Sequence, residues 1–247
     1  MSRTLRSFFI ASFAACLSAG GMSGCADNDS SLFIDGVLVP QPPDCSVTGD
    51  PTQPMQFNGV LDVALRFNYS AALLVGNQLT PRGDKQNLKI ETTRVNLRGA
   101  EITITDSAGA TIKSFSIGGT GFVDSNTGET PGWGIFSTDL IPGPVGVTLV
   151  KDLPFGTSKN YYTKVQVFGD TLGGTSITSG FLTYPIEVCN GCLIQYPAVA
   201  IDTASGQNKC DKSTDTAPTP GCFPGQDGFV DCRNCSATVA ACAIEPQ

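Results

Sequence analysis

The chain has 247 residues, of which 15% are charged, and its 15 Lys and Arg against 22 Asp and Glu give a formal net charge of −7. This acidic balance repels phosphate groups, so nucleic acid is not an expected partner. The sequence contains no histidine, which excludes Ser-His-Asp and Cys-His catalysis as well as imidazole metal sites.

Residues 1–24 have the pattern of a secretory signal peptide. Two arginines precede an apolar run, Phe8 to Leu17, that is too short to remain as a membrane-spanning helix. Small residues follow, and Met22-Ser23-Gly24-Cys25 resembles the lipobox of bacterial lipoproteins, in which the first mature residue is a cysteine. The resemblance implies lipid on Cys25 and attachment to a membrane through that lipid. Cleavage near Ala19 is the alternative, and it would leave Cys25 as an ordinary thiol.

The residue after Cys25 bears on the membrane to which the chain is attached. In lipoproteins of this kind an Asp at that position is associated with retention in the inner membrane, whereas this chain has Ala26. The resemblance therefore implies a lipid-anchored protein of the bacterial cell envelope. It implies the outer membrane, on either its periplasmic or its surface face.

Residues 25–55 are polar and rich in proline, with one apolar patch at Leu32 to Ile34. Proline disfavours both a helix and an inner strand of a sheet. The composition therefore predicts that the lipidated Cys25 continues into an extended tether.

Residues 56–188 alternate apolar and polar side chains in short runs separated by turns. The runs are Leu61 to Phe67, Lys89 to Leu97, Ala100 to Ile104, Ile112 to Ile117 and Val145 to Val150. With the later segments Tyr161 to Val167 and Ile177 to Val188 there are about seven short strands. They predict an all-β fold, an antiparallel immunoglobulin-like β-sandwich with a disulfide-rich C-terminal appendage.

One segment of this region has a more specific pattern. Leu153-Pro154-Phe155-Gly156-Thr157, followed by Tyr161, Thr163, Val165 and Val167, resembles the penultimate strand of fibronectin type III and immunoglobulin-like domains. The resemblance implies that Tyr161 faces inward at a corner between the two sheets, with its hydroxyl bonded to the backbone.

Residues 189–247 form a Cys-rich segment with little apolar content, so cross-links must stabilise it in place of a core. Assigning Cys16 to the signal peptide and Cys25 to lipid leaves an even set of cysteines: Cys45, Cys189, Cys192, Cys210, Cys222, Cys232, Cys235 and Cys242. We expect four disulfides of open connectivity, with Cys45 tying the tether to the C-terminal segment. The two CxxC pairs leave open a zinc site or exchange-active thiols.

Two stretches of the Cys-rich segment carry a further resemblance. The Cys-Asn-Gly-Cys sequence at Cys189 to Cys192 and the stretch from Gly225 to Cys235 are similar to those of a group of uncharacterised bacterial lipoproteins. The resemblance implies a shared scaffold and no assigned activity.

Candidate binding residues are few, and we expect no catalytic residues, no cofactor and no bound metal. Trp133, between two glycines, is a candidate for stacking on a sugar ring or for packing in the core. Four aspartates of the Cys-rich segment are calcium candidates, although their spacing is not that of a calcium loop and turn formation is the favoured explanation: Asp211, Asp215, Asp227 and Asp231.

Together these features predict a lipid-anchored, non-enzymatic envelope protein with a structural or interaction role. Its expected partners are the membrane, through the lipid on Cys25, and another envelope protein or a glycan. A carbohydrate- or calcium-binding module is the alternative. A glycosidase or a thiol oxidoreductase is the less favoured one, because no pair of carboxylates stands out.

Overall fold

The computed structural model of the chain describes residues 31–82, 92–195 and 221–231. The strands in these residues are β1 (Leu32–Leu38), β2 (Met55–Gln56), β3 (Gly59–Asp62), β4 (Tyr69–Asn77), β5 (Val95–Asp106), β6 (Thr111–Val123), β7 (Gly132–Ile141), β8 (Ser158–Thr171), β9 (Ser176–Thr178), β10 (Leu182–Cys189), β11 (Ile194–Gln195) and β12 (Val230–Asp231). Helix α1 (Gly143–Leu149) and a 3₁₀ turn (Val150–Asp152) connect β7 to β8.

The strands form two large sheets and one small one. The first sheet has the order β2-β1-β4-β7 and is antiparallel throughout. The second has the order β3-β10-β8-β5-β6, with β9 paired to β8, and its only parallel pair among the described strands is β3 with β10. The parallel strands β11 and β12 join the chain after Cys192 to the segment 221–231.

The two sheets pack against each other around a shared apolar core, which confirms the predicted all-β sandwich. Side chains of β8 show the strand period of two, and those of the inward face are all buried: Tyr161, Thr163, Val165 and Val167. Leu73 of β4 and Phe136 of β7 belong to the same core cluster from the first sheet. Tyr161 thus faces inward as expected, although its hydroxyl forms no hydrogen bond with the described residues.

The tether predicted for residues 25–55 is wrong for Leu32–Leu38, because these residues form β1. This strand lies between β2 and β4, and Leu32, Val37 and Leu38 are buried. A register shift between Ile34 and Gly36 breaks the alternation that would have marked a strand in the sequence. The sandwich therefore begins at Leu32 and not at residue 56.

Two of the predicted strands differ from the structure, one because it is a helix and the other because it ends early. Residues Val145 to Val150 are mostly in α1, because prolines at the start of the helix fit its first turn and the buried positions Gly146 and Leu149 are spaced by three. The run Leu61 to Phe67 is a strand only as far as Asp62, after which the chain turns. In the described residues, no helix has the length and apolarity needed to cross a bilayer.

Candidate functional site

A buried carboxylate at the end of β3 organises one end of the sandwich. Asp62 is 0% exposed, and its Oδ1 accepts hydrogen bonds from the backbone N–H groups of Ala64 at 2.9 Å and Gly191 at 2.7 Å. Its Oδ2 accepts from the N–H of Leu193 at 2.8 Å. Three donors compensate the burial of the charge, so Asp62 both turns the chain after β3 and holds the loop that follows β10.

That loop contains the first CxxC pair, and Cys189 and Cys192 are joined in a disulfide with a Cα–Cα distance of 5.8 Å. Cys189 is buried, whereas Cys192 is exposed. Gly191 between them has φ +94, a left-handed conformation that favours glycine. The Asp62-bound loop thus presents one sulfur of the disulfide to solvent.

Asp62, Cys189 and Cys192 could bind a metal together only after the disulfide is reduced. One ligand atom each of Asp62, Cys189 and Cys192 lies within 4.8 Å of the other two. Zinc binds thiolates, and sulfurs joined in a disulfide offer none. The oxidised site is therefore a structural cross-link, and the second CxxC pair, Cys232 and Cys235, lies outside the described residues.

A second disulfide fastens the C-terminal segment beside the first sheet. Cys45 and Cys222 are joined across 177 residues, with a Cα–Cα distance of 5.3 Å, which matches the expectation that Cys45 ties the N-terminal region to the Cys-rich segment. Gln226 extends this attachment, because its side-chain amide donates to the carbonyl of Ser70 at 2.6 Å and accepts from the N–H of Ser70 at 2.9 Å. The Gln226 side chain thereby forms the two hydrogen bonds to the Ser70 backbone that a neighbouring strand would otherwise form with β4.

Asp227 closes the same end of the sandwich over a pair of buried phenols. Its Oδ2 accepts from the Tyr69 hydroxyl at 2.7 Å and from the Gln56 amide at 2.9 Å, while its Oδ1 accepts from the N–H of Val60 at 2.7 Å. The hydroxyls of Tyr69 and Tyr184 are 2.9 Å apart. Burial raises the pKa of Tyr69, and the negative charge of Asp227 raises it further. Burial also raises the pKa of Tyr184.

These contacts bear on the calcium hypothesis for the aspartates. Both carboxylate oxygens of Asp227 are occupied by protein donors, so Asp227 serves as a structural anchor in this conformation. Asp211 and Asp215 lie outside the described residues.

A cavity of about 440 Å³ lies where the two joined segments meet the first sheet. Its walls come from β1, β4, β7, the loop before β2 and the segment after Cys222. The lining residues are Val37, Leu38, Pro40, Cys45, Val47, Gln56, Ser70, Ala71, Ala72, Ile117, Ser137, Thr138, Asp139, Phe223 and Gln226. Apolar side chains thus face a group of hydroxyls, amides and one carboxylate, the composition typical of small-molecule sites.

Thr138 lies at one wall of the cavity, but its side chain is on the core-facing side of β7, with Phe136 and Leu140. Thr138 is 8% exposed, and its Oγ1 is buried and forms no hydrogen bond with any described residue. Nearby, Oδ1 of Asp139 accepts from the Ser70 hydroxyl at 2.6 Å and from the Asn68 amide at 3.2 Å. Asn68 links this carboxylate to a cation, because its Oδ1 accepts from the Arg66 guanidinium at 3.1 Å. Burial lowers the pKa of Arg66.

Trp133 does not pack in the core, which was one of its two predicted roles. It lies on β7 opposite Gly76 of β4, on the face away from the core, and it is half-buried. Its ring meets that of Phe33 edge-on, with 5.5 Å between centroids and 81° between planes. It does not line the cavity, so a role in sugar stacking stays a prediction for a separate surface.

The structure brings together only some of the predicted site residues. Cys45, Cys189, Cys192 and Cys222 form two disulfides at one end of the sandwich. The remaining candidates lie outside the described residues: Cys25, Cys210, Cys232, Cys235 and Cys242. Asp62 and Gln226 were missed, because their hydrogen bonds join segments that are distant in the sequence.

Comparison with known proteins adds little to this geometry. No family model matches the chain, and no curated protein matches it. Among solved structures, the chain is similar to the solution structure of a late embryogenesis abundant (LEA) protein, at 12% identity and a TM-score of 0.34, over 64% of this chain and 71% of that chain. We draw no conclusion about activity from a likeness at this level. The fold and the site define an all-β sandwich cross-linked by disulfides at one end.

Proposed function

We propose that the chain is a lipid-anchored protein of the bacterial cell envelope whose sandwich binds a partner at the end remote from its anchor. The observation that carries the proposal is the short connection between Cys25 and the fold. Six residues separate Cys25 from Leu32, where β1 begins. A fully extended connection of this length spans about 25 Å at most, so lipid on Cys25 would hold the sandwich next to the bilayer.

The direction of β1 supports an orientation in which the proposed binding end of the sandwich points away from the bilayer. Leu32 pairs with Asn77 at one end of the first sheet, whereas Leu38 pairs with Ala72 near the cavity and the Cys45–Cys222 disulfide. A strand rises about 3.3 Å per residue, which puts Leu38 about 20 Å from Leu32. The anchored chain thus enters at one end, and the cavity and both disulfides lie toward the other.

The disulfides support export from the cytoplasm. Cross-links such as Cys45–Cys222 persist in oxidising compartments and are rare where thiols are kept reduced. A binding role is favoured over catalysis because Asp62 and Asp227, the carboxylates held at this end, are taken up in hydrogen bonds to the backbone and to neighbouring side chains. We infer that the partner is a glycan or another envelope protein.

Metabolic labelling tests the anchor. The chain is expressed with its own N-terminus in a Gram-negative host fed an alkyne-tagged fatty acid, and the membranes are then separated from soluble protein. We expect label and membrane association for the wild type, and loss of both in Cys25→Ser. Cys16→Ser is the matched control and should behave as the wild type, because Cys16 lies in the predicted signal peptide. Soluble, unlabelled wild-type protein would contradict the proposal.

A further inference from the structure

We propose that Asp62, Cys189 and Cys192 form a zinc site when the disulfide between the two cysteines is reduced. The inference goes beyond the binding role proposed above and does not depend on the lipid anchor. It also differs from a site built by the two CxxC pairs, because one of its ligands is a carboxylate at the end of β3.

The second sheet places two of the ligands next to each other. Asp62 ends β3 and Cys189 ends β10, and the two residues are partners in the parallel pairing of these strands. Both are 0% exposed. Because their proximity comes from the backbone pairing, it does not depend on the disulfide. Cys192 follows Cys189 at the C-x-x-C spacing that is common in zinc sites.

The distances suit a tetrahedral metal. One ligand atom of each residue lies within 4.8 Å of the ligand atoms of the other two. Zn–S bonds of about 2.3 Å and Zn–O bonds of about 2.1 Å put the ligand atoms of a tetrahedral site about 3.5 to 3.8 Å apart. Two sulfurs joined in a disulfide are closer than this, so zinc can enter only after the S–S bond is broken. The separation that zinc then requires lies within the span of the three ligand atoms.

The hydrogen bonds of Asp62 orient its carboxylate and leave room for a metal. An ionised carboxylate has about four acceptor positions. Backbone N–H groups fill two positions on Oδ1 and one on Oδ2, so one position remains on Oδ2. Carboxylates that bind metals are commonly held by hydrogen bonds of this kind. No Lys or Arg among the described residues forms an ion pair with Asp62, so zinc would not compete there with a cationic side chain.

The kinds of ligand determine which metal fits. Two thiolates and one carboxylate suit Zn²⁺, whereas Ca²⁺ and Mg²⁺ are bound through oxygen ligands. Cys192 is exposed, so the fourth coordination position faces solvent and can take a water molecule. The formal net charge of −7 also favours the approach of a cation.

Formation of the site requires a dithiol reductant. One thiolate of the reductant attacks Sγ of the exposed Cys192, and the electron pair of the S–S bond passes to Sγ of Cys189, which takes up a proton. The second thiol of the reductant loses its proton and attacks the mixed disulfide, so that the reductant leaves as a disulfide and Cys192 becomes a thiol. Zn²⁺ then displaces one proton from each thiol. Zinc binding thereby draws the exchange toward the reduced loop, and an oxidised loop cannot bind zinc.

A redox titration with zinc tests the proposal. The full chain is purified from membranes and equilibrated with mixtures of reduced and oxidised dithiothreitol, with and without a chelator buffer that holds free zinc at about 1 µM. Alkylation and peptide mass mapping measure the reduced fraction of the Cys189–Cys192 pair. We expect zinc to lower the ratio of reduced to oxidised dithiothreitol at half-reduction by about tenfold or more, because a ligand at ten times its Kd favours the form that binds it by that factor.

Three variants identify the ligands. Asp62→Asn should reduce the zinc-induced shift to less than about threefold, because an amide oxygen is a weaker zinc ligand than a carboxylate. Asp50→Asn is the matched control at an exposed turn and should keep the wild-type shift. Cys232→Ser with Cys235→Ser should keep it as well, whereas loss of the shift in this variant would mean that four thiolates bind the metal.

X-ray absorption of the zinc-loaded wild type determines the ligands even if Asp62→Asn fails to fold. We expect two sulfur neighbours at about 2.3 Å and two oxygen neighbours at about 2.0 to 2.2 Å. Four sulfur neighbours, a wild-type titration that zinc does not shift, or a shift that Asp62→Asn leaves unchanged would overturn the proposal.

Discussion

Replacement of Asp62 by Asn tests whether this carboxylate holds the end of the sandwich together. The substitution preserves the size of the side chain but replaces Oδ2 by an NH₂ group, which faces the N–H of Leu193 and cannot accept from it. One charge-assisted hydrogen bond is lost, worth about 1.5 to 3 kcal/mol, and the bonds from Ala64 and Gly191 fall to neutral strength. We expect the free energy of unfolding to fall by about 3 kcal/mol.

Urea denaturation with the disulfides intact measures this loss as a lower midpoint at an unchanged m-value. Asp50→Asn is the matched control, because Asp50 accepts from the N–H of Thr52 in a turn of the same kind but is exposed. Its midpoint should stay close to that of the wild type. Equal midpoints for Asp62→Asn and Asp50→Asn would refute the role assigned to the buried carboxylate.

The same variant has a consequence for the neighbouring disulfide. Asp62 fixes Gly191 and Leu193 on either side of Cys192 and disfavours a thiolate on Cys189 through like charge. Asp62→Asn should therefore speed the reduction of Cys189–Cys192 by dithiothreitol, as followed by alkylation and peptide mass mapping. An unchanged reduction rate would show that the loop is held by other contacts.

Three further predictions concern the rest of this end. Cys45→Ser with Cys222→Ser should lower the free energy of unfolding by about 5 kcal/mol in the chain-entropy model. Cys189→Ser with Cys192→Ser should lower it by about 2 kcal/mol, because that loop is short, and the reverse order in urea denaturation would contradict the model. Gly59→Ala places a methyl group on the Tyr69 hydroxyl and should cost about 1 to 3 kcal/mol, whereas Gly143→Ala, in open space, should show no such loss. The raised pKa of Tyr69 means that its contribution to stability is complete below about pH 10 and is lost at higher pH, where the unfolded chain ionises. Wild-type stability should therefore fall more steeply above pH 10 than that of Tyr69→Phe, and parallel pH profiles would count against the buried phenol.

The strands of the second sheet could be predicted from the sequence because their burial follows a local pattern. Ala100, Ile102 and Ile104 of β5 alternate with polar residues, and all three are buried. The strand β1 has no such signal, since its register shifts after Ile34 and the adjacent residues Val37 and Leu38 are both buried. Alternation of apolar and polar residues predicts a strand with one solvent-exposed face, and β1 has no such face.

The candidate site depends on contacts between distant parts of the chain. Asp62 reads as a solvent-facing residue in an alternating run, yet its partners Gly191 and Leu193 lie about 130 residues later. Gln226 is separated from Ser70 by 156 residues. Cysteine content predicted that the two regions are joined, but only the fold shows which polar side chains meet there.

Intact mass spectrometry of the protein purified from membranes, with alkylation before and after reduction, is the most direct test of a lipid-anchored sandwich cross-linked by disulfides. We expect a mature chain that begins at Cys25 with added acyl mass, no alkylation before reduction, and alkylation of all eight later cysteines afterwards. A chain that begins elsewhere, or free thiols at Cys45, Cys189, Cys192 or Cys222 before reduction, would contradict it.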